Sequence, residues 1–245
     1  MERDLRLRVR AMSDEGFIDA VAALYGAGDQ DDLCAPFLSA LPVTGVAIST
    51  LGEPFGPETV CASDSTAVRL DEIQFDLGEG PSWDAMRSRL PVLEPDLQAS
   101  TSEHWPVTLM ALQVIHLGAV FAFPMHVGTL NIGTVDLYNR AATALAGDVV
   151  ADAAALTEAV SRQVLHRALA RREDTGAGAH DVSRYSRREI YQASGMVAAQ
   201  TGADVNDALL LLRASAYTAG RTVRDLANDV IHRTVDFTDR DGSGF

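Results

Sequence analysis

Ser186-Arg187-Arg188-Glu189-Ile190-Tyr191-Gln192-Ala193-Ser194-Gly195-Met196 opens the segment whose reading decides how this chain is organised. Three short helices are predicted between Ser183 and Val235, each with its own start signal. Ser186 with Glu189, Asp204 with Asp207 and Thr222 with Asp225 each set a side-chain oxygen at the orphan amides of a first turn. In each case a carboxylate follows three residues later, where the helix dipole favours it. Gly202 and Gly220 supply the stops, because glycine accepts the left-handed turn that ends a helix. Apolar spacing agrees with the caps: Ile190, Ala193 and Val197; Ala208, Leu209, Leu212 and Ala216; Val223, Leu226, Ala227, Val230 and Ile231. Gly195, inside the first helix, costs ~1 kcal/mol relative to alanine and leaves that face open to close approach.

Residues 190–196, followed by Asp207-Ala208, Leu212-Arg213, Ala216, Arg221 and Leu226-Ala227, resemble an ANTAR domain. The resemblance implies an all-α, three-helix, RNA-binding transcription antiterminator over residues 184–238. It also implies a partner, a leader RNA with tandem hairpins whose paired loops the helices grip. The family usually carries lysine between the Ala and the Gly; this chain has Ser194 there. The expected RNA surface comprises Arg187, Arg188, Gln192, Ser194 and Gly195, then Arg213 and Tyr217, then Arg221 and Arg224. Arg188 with Gln192, and Arg213 with Tyr217, are four apart and therefore neighbours on a helix. The second pair sets a cation beside an aromatic ring suited to an unstacked base. The opposing reading has these arginines pair with Glu189, Asp207, Asp225 or Asp229.

The 245 residues, 47% of them apolar, suffice for two cores. Formal net charge is −14, unevenly placed: residues 11–160 hold 21 acids and four arginines, residues 161–245 hold eleven acids and twelve arginines. This balance excludes indiscriminate nucleic-acid binding and puts the cations toward the C-terminal end. Every cation is arginine. The start lacks an apolar core of a leader, and no run reaches membrane-span length, so a soluble, cytoplasmic protein without membrane association is expected. Cys34 and Cys61, 27 positions apart and outside any CxxC pattern, are expected to be two inert thiols.

Helices are predicted from Ser13 to about Tyr25, from Asp31 or Asp32 to Ala40, from a Ser65 cap to Gln74, from Pro81 to Ser88 and from a Ser102 cap through Trp105 to Val114. A long connecting helix runs from about Asp148 to Arg172. Strands are predicted at 43–50, 58–62, 91–93, 119–127 and 130–138, the last two joined by a Gly128-Thr129 turn. This is an α+β pattern, an antiparallel sheet with flanking helices. Gly78-Glu79-Gly80-Pro81, Pro91-Val92-Leu93, Asp96-Leu97, Trp105-Pro106, Phe121-Ala122-Phe123-Pro124 and Gly133-Thr134-Val135-Asp136-Leu137-Tyr138 resemble a GAF domain. The likeness covers residues 14–168, with a linker at 169–183. It implies a sensor fold that binds a small ligand or dimerises, of the kind fused to ANTAR domains in actinobacteria. Relatives often have cysteine after Gly-Glu-Gly-Pro, where this chain has Ser82. A small-molecule pocket is expected among Trp83, Trp105, Phe121, Phe123 and Tyr138.

Nothing in the sequence asks for catalysis. The six histidines show no metal-ligand spacing, Gly-Glu-Gly-Pro lacks the Gly-Lys-Ser/Thr ending of a phosphate loop, and no Gly-x-Ser-x-Gly elbow occurs. No enzyme activity, cofactor or metal is expected. The expected function is a dimeric, signal-responsive antitermination regulator. The alternative is a ligand-binding or dimerisation module without direct RNA binding.

Overall fold

In a computed structural model of the protein, residues 15–51, 54–101, 103–174 and 187–238 are described. The lead-in, the expected caps Ser13, Ser102 and Ser186, and linker residues 175–183 lie outside them. The chain divides into two compact units, the division falling between residues 174 and 187.

The N-terminal unit runs α1 (residues 15–26), α2 (Ala35–Ala40), β1 (Gly45–Thr50), β2 (Glu58–Ala62), α3 (Ser65–Leu77), α4 (Pro81–Ser88), β3 (Val92–Glu94), α5 (Pro106–Val114), β4 (Ala119–Val127), β5 (Leu130–Asn139) and α6 (Gly147–Asp174). The five strands form one antiparallel sheet in the order β2-β1-β5-β4-β3. Alternating side chains feed two cores, as the period of two in a strand requires. Val46, Ile48, Phe121, Phe123, Val135 and Leu137 pack with Leu24 of α1, Phe37 of α2, and Leu156, Val160 and Val164 of α6. Ala47, Val120 and Tyr138 face the other way, against Leu70 and Ile73 of α3 and Leu109 and Leu112 of α5.

Several expectations shift in detail. Asp64, not Ser65, caps α3, its carboxylate accepting from Ala67 N at 2.8 Å. Trp105 lies before α5, not inside it, and the first-turn amides of that helix are met from elsewhere. Glu79 Oε1 accepts from Val107 N at 3.2 Å and Thr108 N at 3.0 Å. Thr108 Oγ1 donates back to the Glu79 carbonyl at 3.1 Å. The Gly-Glu-Gly-Pro loop therefore staples α5 to the α3–α4 turn. Gly78 closes α3 with φ of 69°, and Pro81 starts α4 where its missing N–H costs nothing.

Cys34 and Cys61 are not free thiols. They form a disulfide that ties the start of α2 to edge strand β2. Their Cα atoms stand 6.1 Å apart, within the span a disulfide bridges. In α6, Arg167 turns inward, 8% exposed, and donates to the carbonyls of Gly28 and Asp31, while Gln163 Nε2 donates to Tyr25 O at 3.1 Å. The two residues that break the apolar stripe of α6 thus fasten it to α1 and the loop behind it. No helix among the described residues is long and apolar enough to cross a membrane.

The C-terminal unit contains α7 (Arg188–Thr201), α8 (Val205–Thr218) and α9 (Val223–Ile231), with α7 packed against both others. Asp204 accepts from Asn206 N and Asp207 N, Thr222 accepts from Asp225 N, and Gly202 and Gly220 take φ of 73° and 62°. Ile190, Ala193, Val197, Ala208, Leu212, Ala216, Val223, Leu226, Ala227, Val230 and Phe237 form its interior. Seven alanine and valine positions among these let short helices approach closely enough to exclude water.

Candidate functional site

On α7, Arg188, Gln192, Gly195 and Ala199 face solvent, spaced i, i+4, i+7 and i+11. Helical periodicity puts these on one stripe. A Cβ built on Gly195 would meet nothing within 4 Å, so the middle of the stripe is an open notch. On α8, Tyr217 is 58% exposed, with Arg213 half-buried one turn before it. Arg224 is half-buried in the first turn of α9.

Three members of the expected RNA set behave otherwise. Arg187 is 2% exposed, and its carbonyl accepts from Ile190 N and Tyr191 N at the start of α7. Ser194 is 1% exposed, and its hydroxyl donates to the Ile190 carbonyl at 2.8 Å. Both side chains are buried, so neither belongs to a solvent-facing surface. Ser194 sits one position from Gly195, and a step of 100° around the helix moves it from the open stripe to the packed one. Arg221 remains accessible but is engaged, NH1 lying 2.6 Å from Asp229 Oδ2.

One surface feature went unread. Leu210, 58% exposed, aligns with Ala214 and Tyr217 at i, i+4 and i+7 on the outer side of α8. The signal was present in the four consecutive leucines 209–212: one helix can bury only some of such a run, and Leu210 is the one that faces out.

In the N-terminal unit the five aromatics do not line one pocket. Phe121 and Phe123 belong to the core against α6, whereas Trp105 and Tyr138 belong to the core against α3 and α5. Trp83 donates its indole N–H to the Gln74 carbonyl at 2.7 Å. The cause is a register shift between Met125 and His126: His126 pairs with Asn131 but Met125 with Gly133, so Ile132 is an extra residue on β5. Phe121 thereby pairs with Leu137 instead of Asp136, which reverses its face relative to Tyr138. Phe123 instead borders a cavity of about 310 Å³ shared with Arg89, His126, Thr157, Ser161 and Arg162.

The polar groups of this unit converge on the α3–α4 side of the sheet. Asp71 accepts from Ser49 Oγ at 2.8 Å and from Thr59 Oγ1. Asp136 Oδ2 accepts from Ser82 Oγ at 2.6 Å and Gln74 Nε2 at 3.2 Å. Gln74 Oε1 in turn accepts from Ser82 N at 2.9 Å. Asp136 is 1% exposed, and its other oxygen, Oδ1, accepts no hydrogen bond; neither does the hydroxyl of Thr134 find a partner. Burial, opposed by the Ser82 hydrogen bond and reinforced by the charge of Asp71, pushes the Asp136 carboxyl up from 3.8 to about 7. The folded state thus holds this proton more tightly than the unfolded chain. Its contribution to stability is complete below about pH 4, declines as pH rises to about 7, and is level above that. Urea unfolding at about pH 5 and about pH 8 is expected to show a larger alkaline loss in the native protein than in Asp136→Asn.

Asp32, Cys34 and Cys61 bring a carboxylate and two sulfurs within 4.8 Å of one another, but the sulfurs are bonded to each other.

A family profile described as the ANTAR domain matches residues 184–231. No curated protein matches the sequence. Among solved structures, the GAF domain region of a Geobacter sulfurreducens PCA protein is 17% identical, with TM-score 0.46, covering 61% of this chain and 97% of its own. A GAF domain/HD domain protein from Geobacter sulfurreducens is 19% identical, with TM-score 0.44 and coverages of 61% and 98%. A GAF domain from A. aeolicus in an inactive state is 13% identical, with TM-score 0.43 and coverages of 66% and 98%. The architecture is an antiparallel sheet with flanking helices followed by a three-helix unit that matches the ANTAR profile.

Proposed function

We propose that the protein is a signal-responsive antitermination regulator without catalytic activity, whose C-terminal unit binds paired hairpin loops of a leader RNA. The observation that carries this is the solvent stripe Arg188–Gln192–Gly195 on α7, together with Arg213 and Tyr217 on α8, inside the segment that matches the ANTAR profile. Guanidinium groups meet phosphate, the notch at Gly195 admits a sugar or backbone, and the exposed phenol ring stacks on a base splayed from its loop. In a homodimer two such units hold two loops, and tethering two weak contacts multiplies affinity through effective concentration. A signal bound by the N-terminal unit then shifts the population of dimer geometries that span both loops.

The test is the salt dependence of binding to a two-hairpin leader transcript from the protein's own genome. For about three phosphate contacts per unit, about six in the dimer, the slope of log affinity against log salt is expected near −4 on single-stranded loops. A flat profile rejects RNA contact. The exposed stripe Leu210, Ala214 and Tyr217 supports a second reading, in which α8 docks on protein and the C-terminal unit only dimerises. That reading predicts the flat profile with a concentration-dependent molecular mass.

A further inference from the structure

Two sequence motifs, Gly78-Glu79-Gly80-Pro81-Ser82 and Gly133-Thr134-Val135-Asp136, meet inside the N-terminal unit. Ser82 of the first donates to Asp136 of the second, and Thr134 of the second lies opposite Ser49, which donates to Asp71. The result is a buried constellation of two carboxylates, three hydroxyls that already donate to them, and two acceptor atoms left over. We propose that this constellation is a binding site for one water-sized monovalent cation, ammonium or an alkali-metal ion, held by Asp136, Thr134 and Asp71.

Three observations point to a cation and not to an anion. First, the hydrogen-bond donors around Asp136 are spent. Ser82 Oγ and Gln74 Nε2 both serve Oδ2, so once the carboxyl ionises Oδ1 presents lone pairs that no neighbouring donor meets. Second, the Thr134 hydroxyl oxygen, 0% exposed as a residue, is unsatisfied on the same sheet face two residues away. Buried polar atoms are almost always satisfied, and those that are not mark a site for an ion or a water. Third, both groups that hold Asp136 are neutral, and the charge that reaches it is the like charge of Asp71 on α3. Two buried carboxylates repel, and each pays for leaving water unless a positive charge joins them.

Size follows from the register. Asp136 has alanines opposite it on both neighbouring strands, Ala47 on β1 and Ala122 on β4, while Ser49 and Thr134 pair directly two residues along, on the same face. Polar atoms drawn from adjacent paired positions span roughly 5–8 Å across the sheet. That span suits an ion of water's dimensions, not a nucleotide or a macrocycle.

This deepens the sensor half of the proposed function and depends on it only for the link to RNA. The experiment uses the full chain in choline chloride at about pH 8, where Asp136 is ionised. Choline is replaced stepwise by ammonium, potassium or sodium chloride at constant ionic strength, and thermal unfolding is followed. One of the three small cations is expected to raise the midpoint by about 5 °C with saturation, the other two less, which identifies the ion. Asp136→Asn is expected to abolish the rise, and Thr134→Val to shift the half-saturating concentration upward about tenfold. Equal midpoints in all four chlorides overturn the site, as does a saturable rise that survives in Asp136→Asn. If Asp136→Asn does not fold, the comparison of choline with the small cations in the native chain decides alone. Leader-RNA affinity measured with and without the cation separates the two claims. RNA binding in every salt with no midpoint shift removes the ion site alone. A midpoint shift with no RNA binding removes the antitermination reading alone.

Discussion

Gly133→Ala is expected to lose about 4 kcal/mol or more of unfolding free energy, enough to leave much of the protein unfolded at 37 °C. A methyl group there would overlap the Ser49 carbonyl oxygen and stand 2.7 Å from Thr50 Cα. Both are backbone atoms of the paired central strand, so no rotamer change relieves the overlap. β1 and β5 must part at the Thr50–Gly133 pair, and the β1–β5 ladder lies in the middle of the sheet. Opening it also disturbs the neighbouring Ser49–Thr134 pair beside the buried carboxylates. Gly128→Ala is the comparison: it has φ of 59° in the hairpin turn and open space around it, so only conformational strain of ~1 kcal/mol is expected. Urea midpoints of the two variants against the native chain make the measurement. Similar midpoints for both would mean that the close approach of β1 and β5 is absent in solution.

Arg188→Ala combined with Tyr217→Ala is expected to weaken binding to the two-hairpin transcript by about a hundredfold or more while leaving the unit folded. A base stacked on an aromatic ring contributes ~1–3 kcal/mol, and a charged hydrogen bond to phosphate ~1.5–3 kcal/mol. Both side chains face solvent, so truncation leaves no cavity. Arg187→Ala serves as the contrast. Its side chain is buried, so its first effect is on the melting midpoint of the three-helix unit, with RNA affinity falling only as folded protein is lost. Fluorescence anisotropy with a labelled transcript, alongside circular dichroism, distinguishes the two patterns. Equal affinities for the native protein and the double variant would strip α7 and α8 of their proposed role.

Local chemistry made much of this fold legible in advance. Asp204, Thr222, Gly202 and Gly220 carry start and stop signals that need only their immediate neighbours, and each behaves accordingly. Gly128-Thr129 between two alternating runs specified the β4–β5 hairpin for the same reason. What stayed hidden depends on distant parts of the chain. The α5 cap comes from Glu79, some 28 residues upstream, and the partner of Cys34 lies beyond β1. No periodicity announces either. The aromatic pocket failed on a subtler point: a two-residue hairpin counted straight puts Phe121 opposite Asp136, and one extra residue at Ile132 turns the phenylalanines to the other core. The polar cluster was likewise unreadable, since Ser49, Asp71, Ser82 and Asp136 come from four elements and only the sheet register assembles them. On α7 a one-residue step separates Gly195 on the surface from Ser194 in the interior, a distinction that composition does not carry.

The Glu79 carboxylate bears on which anions the N-terminal unit can take up. The amino end of a helix is a seat for negative charge, and at α5 that seat is already filled from within the chain. A phosphorylated effector arriving there would have to evict a tethered competitor whose local concentration never falls. Evicting it would also unfasten α5 from the turn between α3 and α4, a cost that a phosphoester must overcome before it gains anything. At that position the fold thus disfavours phosphorylated ligands by competition from within its own chain.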